Sequence, residues 1–103
     1  MTAVKPVLLL GLALALAAAA SANPTLARDR LCLGCHAVDR KLVGPALRDV
    51  AARYAGQGDA AARIAERILH GSKGRWGPVP MPVSPKLTAT EARQLAEWVL
   101  TLK

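Results

Sequence analysis

Phenylalanine is absent from this 103-residue chain, and Tyr54, Trp76 and Trp98 are its only aromatic residues. Rings normally supply much of the buried area of a core, so some other large apolar body has to fill this one. There are only two cysteines, Cys32 and Cys35, which excludes a disulfide-dense scaffold and any four-cysteine metal site. Histidine occurs twice, at positions 36 and 70, too few for a histidine-built metal centre. No stretch alternates apolar and polar residues long enough to predict a sheet, and no internal repeat is evident. Acidic residues are scarce, at 7 against 14 lysines and arginines.

The long hydrophobic run that does exist lies at the N-terminus. Lys5 precedes an apolar stretch from Val7 to Ala20, and Ala20-Ser21-Ala22 has the small-x-small pattern of a leader cleavage site. Residues 1–22 are therefore predicted to be a signal peptide, with residues 23–103 as one small domain starting at Asn23. A retained anchor is the alternative, but the run is short for a bilayer span. Cleavage leaves 81 of the 103 residues. Domains of that size have marginal cores and often need a covalent or cofactor staple. Removing residues 1–22 takes away one basic residue and no acidic one, so the net charge falls from +7 to +6. Such an excess could suit nucleic acid, but the basic residues are dispersed and the leader predicts export. Steering toward an acidic partner fits better, and solubility accounts for many individual charges.

Cys32-Leu33-Gly34-Cys35-His36 is the most informative stretch. C-x-x-C-H is the attachment pattern of a c-type haem. Two cysteines three apart lie on one side of a helical turn, so both thiols reach the two vinyl groups of one porphyrin. The following histidine is held beneath the ring with a nitrogen available for iron. The alternatives lack partners in the sequence. A zinc site needs four ligands, and only His70 lies outside the motif. A thioredoxin-like pair needs a βαβ setting, and a disulfide across two residues makes a strained ring. A buried porphyrin also provides the flat apolar body that the missing rings leave unfilled.

Four helices are predicted, joined by segments rich in glycine and proline. The first runs from about Thr25 into the haem motif, with Leu26 and Leu31 as apolar contacts. The second follows Pro45 and carries Leu47, Val50, Ala51 and Tyr54 on one side. The third starts behind Asp59 as N-cap, with Ala61, Ile64, Ala65, Ile68 and Leu69 on its apolar face, and stops at Gly71. The last opens on a capping box, Thr88 to Glu91, and continues through Ala92, Leu95, Trp98, Val99 and Leu102.

The iron position opposite His36 needs an occupant. Met81 is the only methionine after leader removal, and it sits between prolines in Gly77-Pro78-Val79-Pro80-Met81-Pro82. Prolines restrict the loop, so the thioether is presented at little ordering cost. Methionine is otherwise common core filler, and His70 is the rival ligand.

At this point the chain resembles the small bacterial class I cytochromes c, the cytochrome c-551 (cytochrome c8) family. The resemblance rests on CLGCHAVDRKLVGPA from Cys32 to Ala46, on Tyr54-Ala55-Gly56-Gln57, on Trp76-Gly77-Pro78-Val79-Pro80-Met81-Pro82 and on the Leu95-to-Leu100 stretch. It implies an all-α class I cytochrome c fold of four helices around one covalently attached haem c. It also implies His36 and Met81 as axial ligands, Pro45 as acceptor for the His36 ring, and Arg67 and Trp76 on a haem propionate. Two departures stand out: the family often has asparagine where Ser84 stands and an aromatic where Ala27 stands.

The function this implies is a periplasmic single-haem electron carrier, not an enzyme. Expected partners are a quinol-oxidising complex on one side and a nitrite reductase or terminal oxidase on the other, each bound transiently. No nucleic acid partner and no membrane anchor after cleavage are expected, and the protein is expected to be a monomer. The rivals are a five-coordinate haem enzyme or gas sensor, if Met81 does not ligate, and a subunit docked in a larger oxidoreductase.

Overall fold

The structure is a computed structural model that describes residues 24–103, so the predicted leader and its cleavage point lie outside the described residues. The described chain is helical: α1 over residues 24–29, α2 Cys32–Cys35, α3 Leu47–Tyr54, α4 Ala60–His70 and α5 Ala89–Leu100. The only strand-like pairing among these residues is one antiparallel bridge between Ser72 and Met81.

One expectation is corrected at the start of the chain. The first helix does not run into the cysteine motif. It breaks at Arg30 and Leu31, and α2 begins as a separate single turn. Leu31 sits at φ 64°, left-handed backbone that costs an L residue about 1–2 kcal/mol. The break turns its side chain outward, 79% exposed, so Leu31 is not the core contact that the spacing predicts.

The other helix faces fall largely where periodicity places them, although Val50, Ala61, Leu69 and Trp98 are only half-buried and Leu102 lies past the end of α5. Leu47, Ala51 and Tyr54 of α3 are buried, as are Ile64, Ala65 and Ile68 of α4 and Ala92, Leu95 and Val99 of α5. α5 packs chiefly on α4 and also on α3. Alanines at 65, 92 and 96 allow close approach of the helix axes. Thr88 forms the predicted capping box: its hydroxyl accepts from Glu91 N, and the Glu91 carboxylate accepts from Thr88 N, both at 3.1 Å. That carboxylate also takes Arg30 at 2.8 Å, tying the end of α1 to the start of α5. The Thr88 amide and the Arg30 guanidinium together hold the Glu91 carboxyl below the usual carboxylate range. Asp59 does occupy the N-cap position of α4, but its side chain caps nothing and lies 3.9 Å from Arg63 instead.

The core is divided. One cluster gathers Ala27, Tyr54, Ile64, Ile68 and Leu95, and a smaller one Leu47, Ala51 and Val99. Among the described residues no large side chain is completely buried; the residues at 0% exposure are Ala27, Ala92 and Ala96. Both clusters contribute walls to one cleft.

Candidate functional site

The cleft has a volume of about 1100 Å³ counted with its solvent-open mouth, and every helix lends it a wall. Ala27 comes from α1, Val50 and Tyr54 from α3, Ile64 and Ile68 from α4, and Leu95 and Trp98 from α5. Its lining is mostly apolar with a few polar groups, the usual character of a cofactor site. Cys32, Cys35, His36, Pro45, Arg67, Trp76 and Met81 all line it, so residues spread over 50 positions of sequence converge on one space.

His36 follows α2 in extended backbone (φ −123°, ψ 141°), and its amide donates to Cys32 O at 2.9 Å. Its ring Nδ1 lies 2.8 Å from the Pro45 carbonyl oxygen. A carbonyl only accepts, so Nδ1 carries the proton and donates. The neutral ring then keeps its lone pair on Nε2, the form that ligates a metal. Donation to a carbonyl also raises the basicity of the free nitrogen and fixes the ring's orientation.

Gly44 makes that orientation possible. A Cβ at this position would fall 2.5 Å from His36 Cε1 and 2.9 Å from Nδ1. The Gly44 amide donates to Cys35 O at 2.8 Å, so the backbone has little room to withdraw. Gly44→Ala is therefore expected to displace the imidazole, break the Pro45 bond and destabilise the protein by about 1–3 kcal/mol. Thermal unfolding, read alongside the proximal-ligand features of the haem spectrum, checks this. An unchanged melt and spectrum would show that the ring relaxes freely.

Met81 arrives on the proline-bounded loop, half-buried against the larger cluster. Its backbone is clamped to Ser72, with Ser72 N donating to Met81 O at 3.0 Å and Met81 N to Ser72 O at 2.7 Å. Gly71 permits the clamp. It has φ +81°, and a Cβ there would meet Met81 O at 2.8 Å. The predicted helix stop thus also sets the methionine loop in place. His70, the rival ligand, is exposed 3.7 Å from Glu66 and does not line the cleft. Ser84 does not line it either; its carbonyl accepts from Leu87 N at 3.2 Å.

Cys32 is half-buried and Cys35 exposed, and the two are not disulfide-bonded. Burial pushes the Cys32 thiol up. A redox-active dithiol works through a lowered thiol, which burial of Cys32 does not favour. A zinc site fails as well: among the described residues no three His, Cys, Asp or Glu side chains are grouped so that they could hold a metal ion. The donor set fits a haem instead, with two thiols and a nitrogen donor at one turn and a thioether on a loop that lines the same cleft. The divided core and the small residues at its centre, Ala27 above all, fit a large flat apolar partner.

Several lining residues escaped the sequence reading. Val43 and Val79 line the cleft and stand 58% exposed, and Lys73 and Arg75 line it along with Arg67 and Trp76. Arg53 of α3 lies over the Trp76 ring at 4.5 Å from its centre.

Comparison with known proteins agrees with this geometry. The family model described as "Cytochrome c" matches residues 21–103. The chain is 54% identical to cytochrome c-551 of Pseudomonas denitrificans over 86 residues, 81% of this chain and all of that protein. It is 48% identical to cytochrome c-552 of Nitrosomonas europaea, over 80% of each chain. The crystal structure of wild-type Nitrosomonas europaea cytochrome c552 superposes with a TM-score of 0.76, covering 78% of this chain and 99% of that one.

Proposed function

The chain belongs to the cytochrome c family, and on that premise we propose that it is a periplasmic carrier passing single electrons between respiratory complexes. Family membership makes it a single-haem electron carrier with one covalently attached haem c, and not an enzyme. We assign Cys32 and Cys35 as the residues that would carry the thioether links, and His36 and Met81 as those that would ligate the iron. The observation that carries this is the His36 ring, locked by Pro45 at 2.8 Å so that Nε2 is the free nitrogen, in a cleft that Met81 also lines.

When bound, the haem iron supplies a one-electron ferric/ferrous couple. The protein's residues do the rest. His36 and Met81 would hold the iron through a nitrogen and a thioether sulfur, a pairing that would leave no position for a substrate and would favour a raised potential. The apolar walls exclude water, and Val43 and Val79 leave an apolar mouth for contact with another protein. Arg67 and Trp76 place a cation and a donor N–H on one lip, suited to an acidic propionate.

Residues 1–22 are assigned as a cleaved leader and 23–103 as the cytochrome domain, and the family match beginning at residue 21 supports that division. No described helix is long and apolar enough to cross a membrane. A monomer meeting its partners transiently is the form that suits a carrier. The resemblance favours a quinol-oxidising complex as donor and a nitrite reductase or terminal oxidase as acceptor. Steering by charge is assigned to the basic residues around Trp76. Arg53, Arg67, Lys73 and Arg75 have no carboxylate partner among the described residues.

A potentiometric titration of the haem-loaded protein tests the carrier reading. One reversible one-electron wave is expected, with a ferrous spectrum that carbon monoxide leaves unchanged. Immediate stoichiometric binding of carbon monoxide would mean an open iron position and would favour the enzyme or gas-sensor alternative.

A further inference from the structure

Trp76 lies in a segment without helix, between the end of α4 at His70 and the Met81 clamp. Arg53 of α3 makes two contacts with this segment, one polar and one with a ring. Its guanidinium carbon sits 4.5 Å from the centre of the Trp76 ring, and its NH1 donates to the Arg75 carbonyl at 2.7 Å. Arg53 itself is exposed and does not line the cleft, whereas Arg75 and Trp76 do. It sits in the last turn of α3, one residue from buried Tyr54, so it stands on a packed helix.

From this geometry we infer that Arg53 is a positioning residue for the haem: it fixes the Trp76 indole on the lip of the cleft and so helps set the reduction potential. The inference rests on the haem reading above, with Trp76 donating to a propionate. A planar guanidinium can stack on a ring and donate in its own plane to a neighbouring carbonyl at once. A lysine ammonium is a compact charge that cannot do both. With the stack and the carbonyl bond in place, the indole keeps one orientation and its N–H one direction. Without them no other hydrogen bond, ion pair or cation–π contact ties the 72–80 segment to α3 among the described residues, and the indole is free to turn away. A propionate deprived of its donor carries less compensated negative charge, which favours ferric iron and lowers the potential.

Charge alone also acts on the potential, since Arg53, Arg67 from α4, and Lys73 and Arg75 from the segment all stand near this lip. α5 presents only Leu95, Trp98 and Val99 to the cleft and adds no charge. The conservative variant separates the two causes. Arg53→Lys keeps the charge and loses the fork, Arg53→Ala loses both, and Trp76→Phe removes the N–H outright.

The experiment measures, on each haem-loaded variant, the reduction potential at fixed pH and salt and the exchange rate of the Trp76 indole proton by NMR. Circular dichroism checks that the total helix content is unchanged. Arg53→Lys and Arg53→Ala are both expected to lower the potential in the direction of Trp76→Phe and to speed indole exchange about tenfold or more, the factor that the loss of about 1.4 kcal/mol of protection gives. A lysine variant matching wild type in both readouts would overturn the positioning role and leave charge only. A fall in potential for Trp76→Phe with no change in either Arg53 variant would overturn the role of Arg53 while sparing that of Trp76. No change in Trp76→Phe itself would overturn the propionate reading and this inference together.

Discussion

Met81→Ala is expected to leave the haem covalently attached but to open one iron position, so that the ferrous protein binds carbon monoxide and the ferric protein binds cyanide. Alanine has no donor atom, and the Ser72 clamp holds the backbone in place, so neighbouring side chains have little freedom to substitute. His70 cannot fill the position without leaving its place beside Glu66 on the outside of α4. The potential is expected to fall by about 0.2 V, a fraction of the ~0.8 V over which axial ligands set haem potentials. Ligand titrations followed by absorbance and a potentiometric titration check both effects. A variant that stays six-coordinate at high potential would return Met81 to the status of core filler.

Replacing Cys32 and Cys35 together with alanine is expected to abolish covalent attachment and leave the chain largely unfolded. The two core clusters meet around the cleft, and no large side chain among the described residues is completely buried. Such a core lies at the lower limit of what a domain this small can fold on. By analogy with a native disulfide in a small domain, the lost links alone remove about 2–5 kcal/mol. Loss of the cofactor's buried surface adds to that. Circular dichroism and a haem-stain gel on the exported double variant measure the outcome. A compact, helical, haem-free protein would show that these helices hold together without the cofactor.

Much of this was legible in the sequence because its signals are local. The C-x-x-C-H turn, the Thr88–Glu91 box and the buried faces of α3, α4 and α5 depend on residues within a few positions of one another. The features that were not legible depend on distant partners. Nothing in Asp29-Arg30-Leu31 announces a left-handed break, since neither glycine nor proline marks it. The reason for glycine at position 44 is a ring eight residues earlier, folded back onto it. Arg53 reads as a solvated helix residue until the 72–80 segment crosses over it, 22 positions later. Asp59 shows the opposite failure: the right residue stands at the right position, but its carboxylate turns to Arg63 rather than to the helix amides.

The pairing of His36 with Met81 on one iron is tested most directly by the oxidised absorption spectrum of the purified haem-loaded protein. The expected result is a sulfur-to-iron charge-transfer band at the red end of the spectrum. It should be retained in His70→Ala and lost in Met81→Ala. A wild-type spectrum without that band, or a band that survives in Met81→Ala, would contradict it.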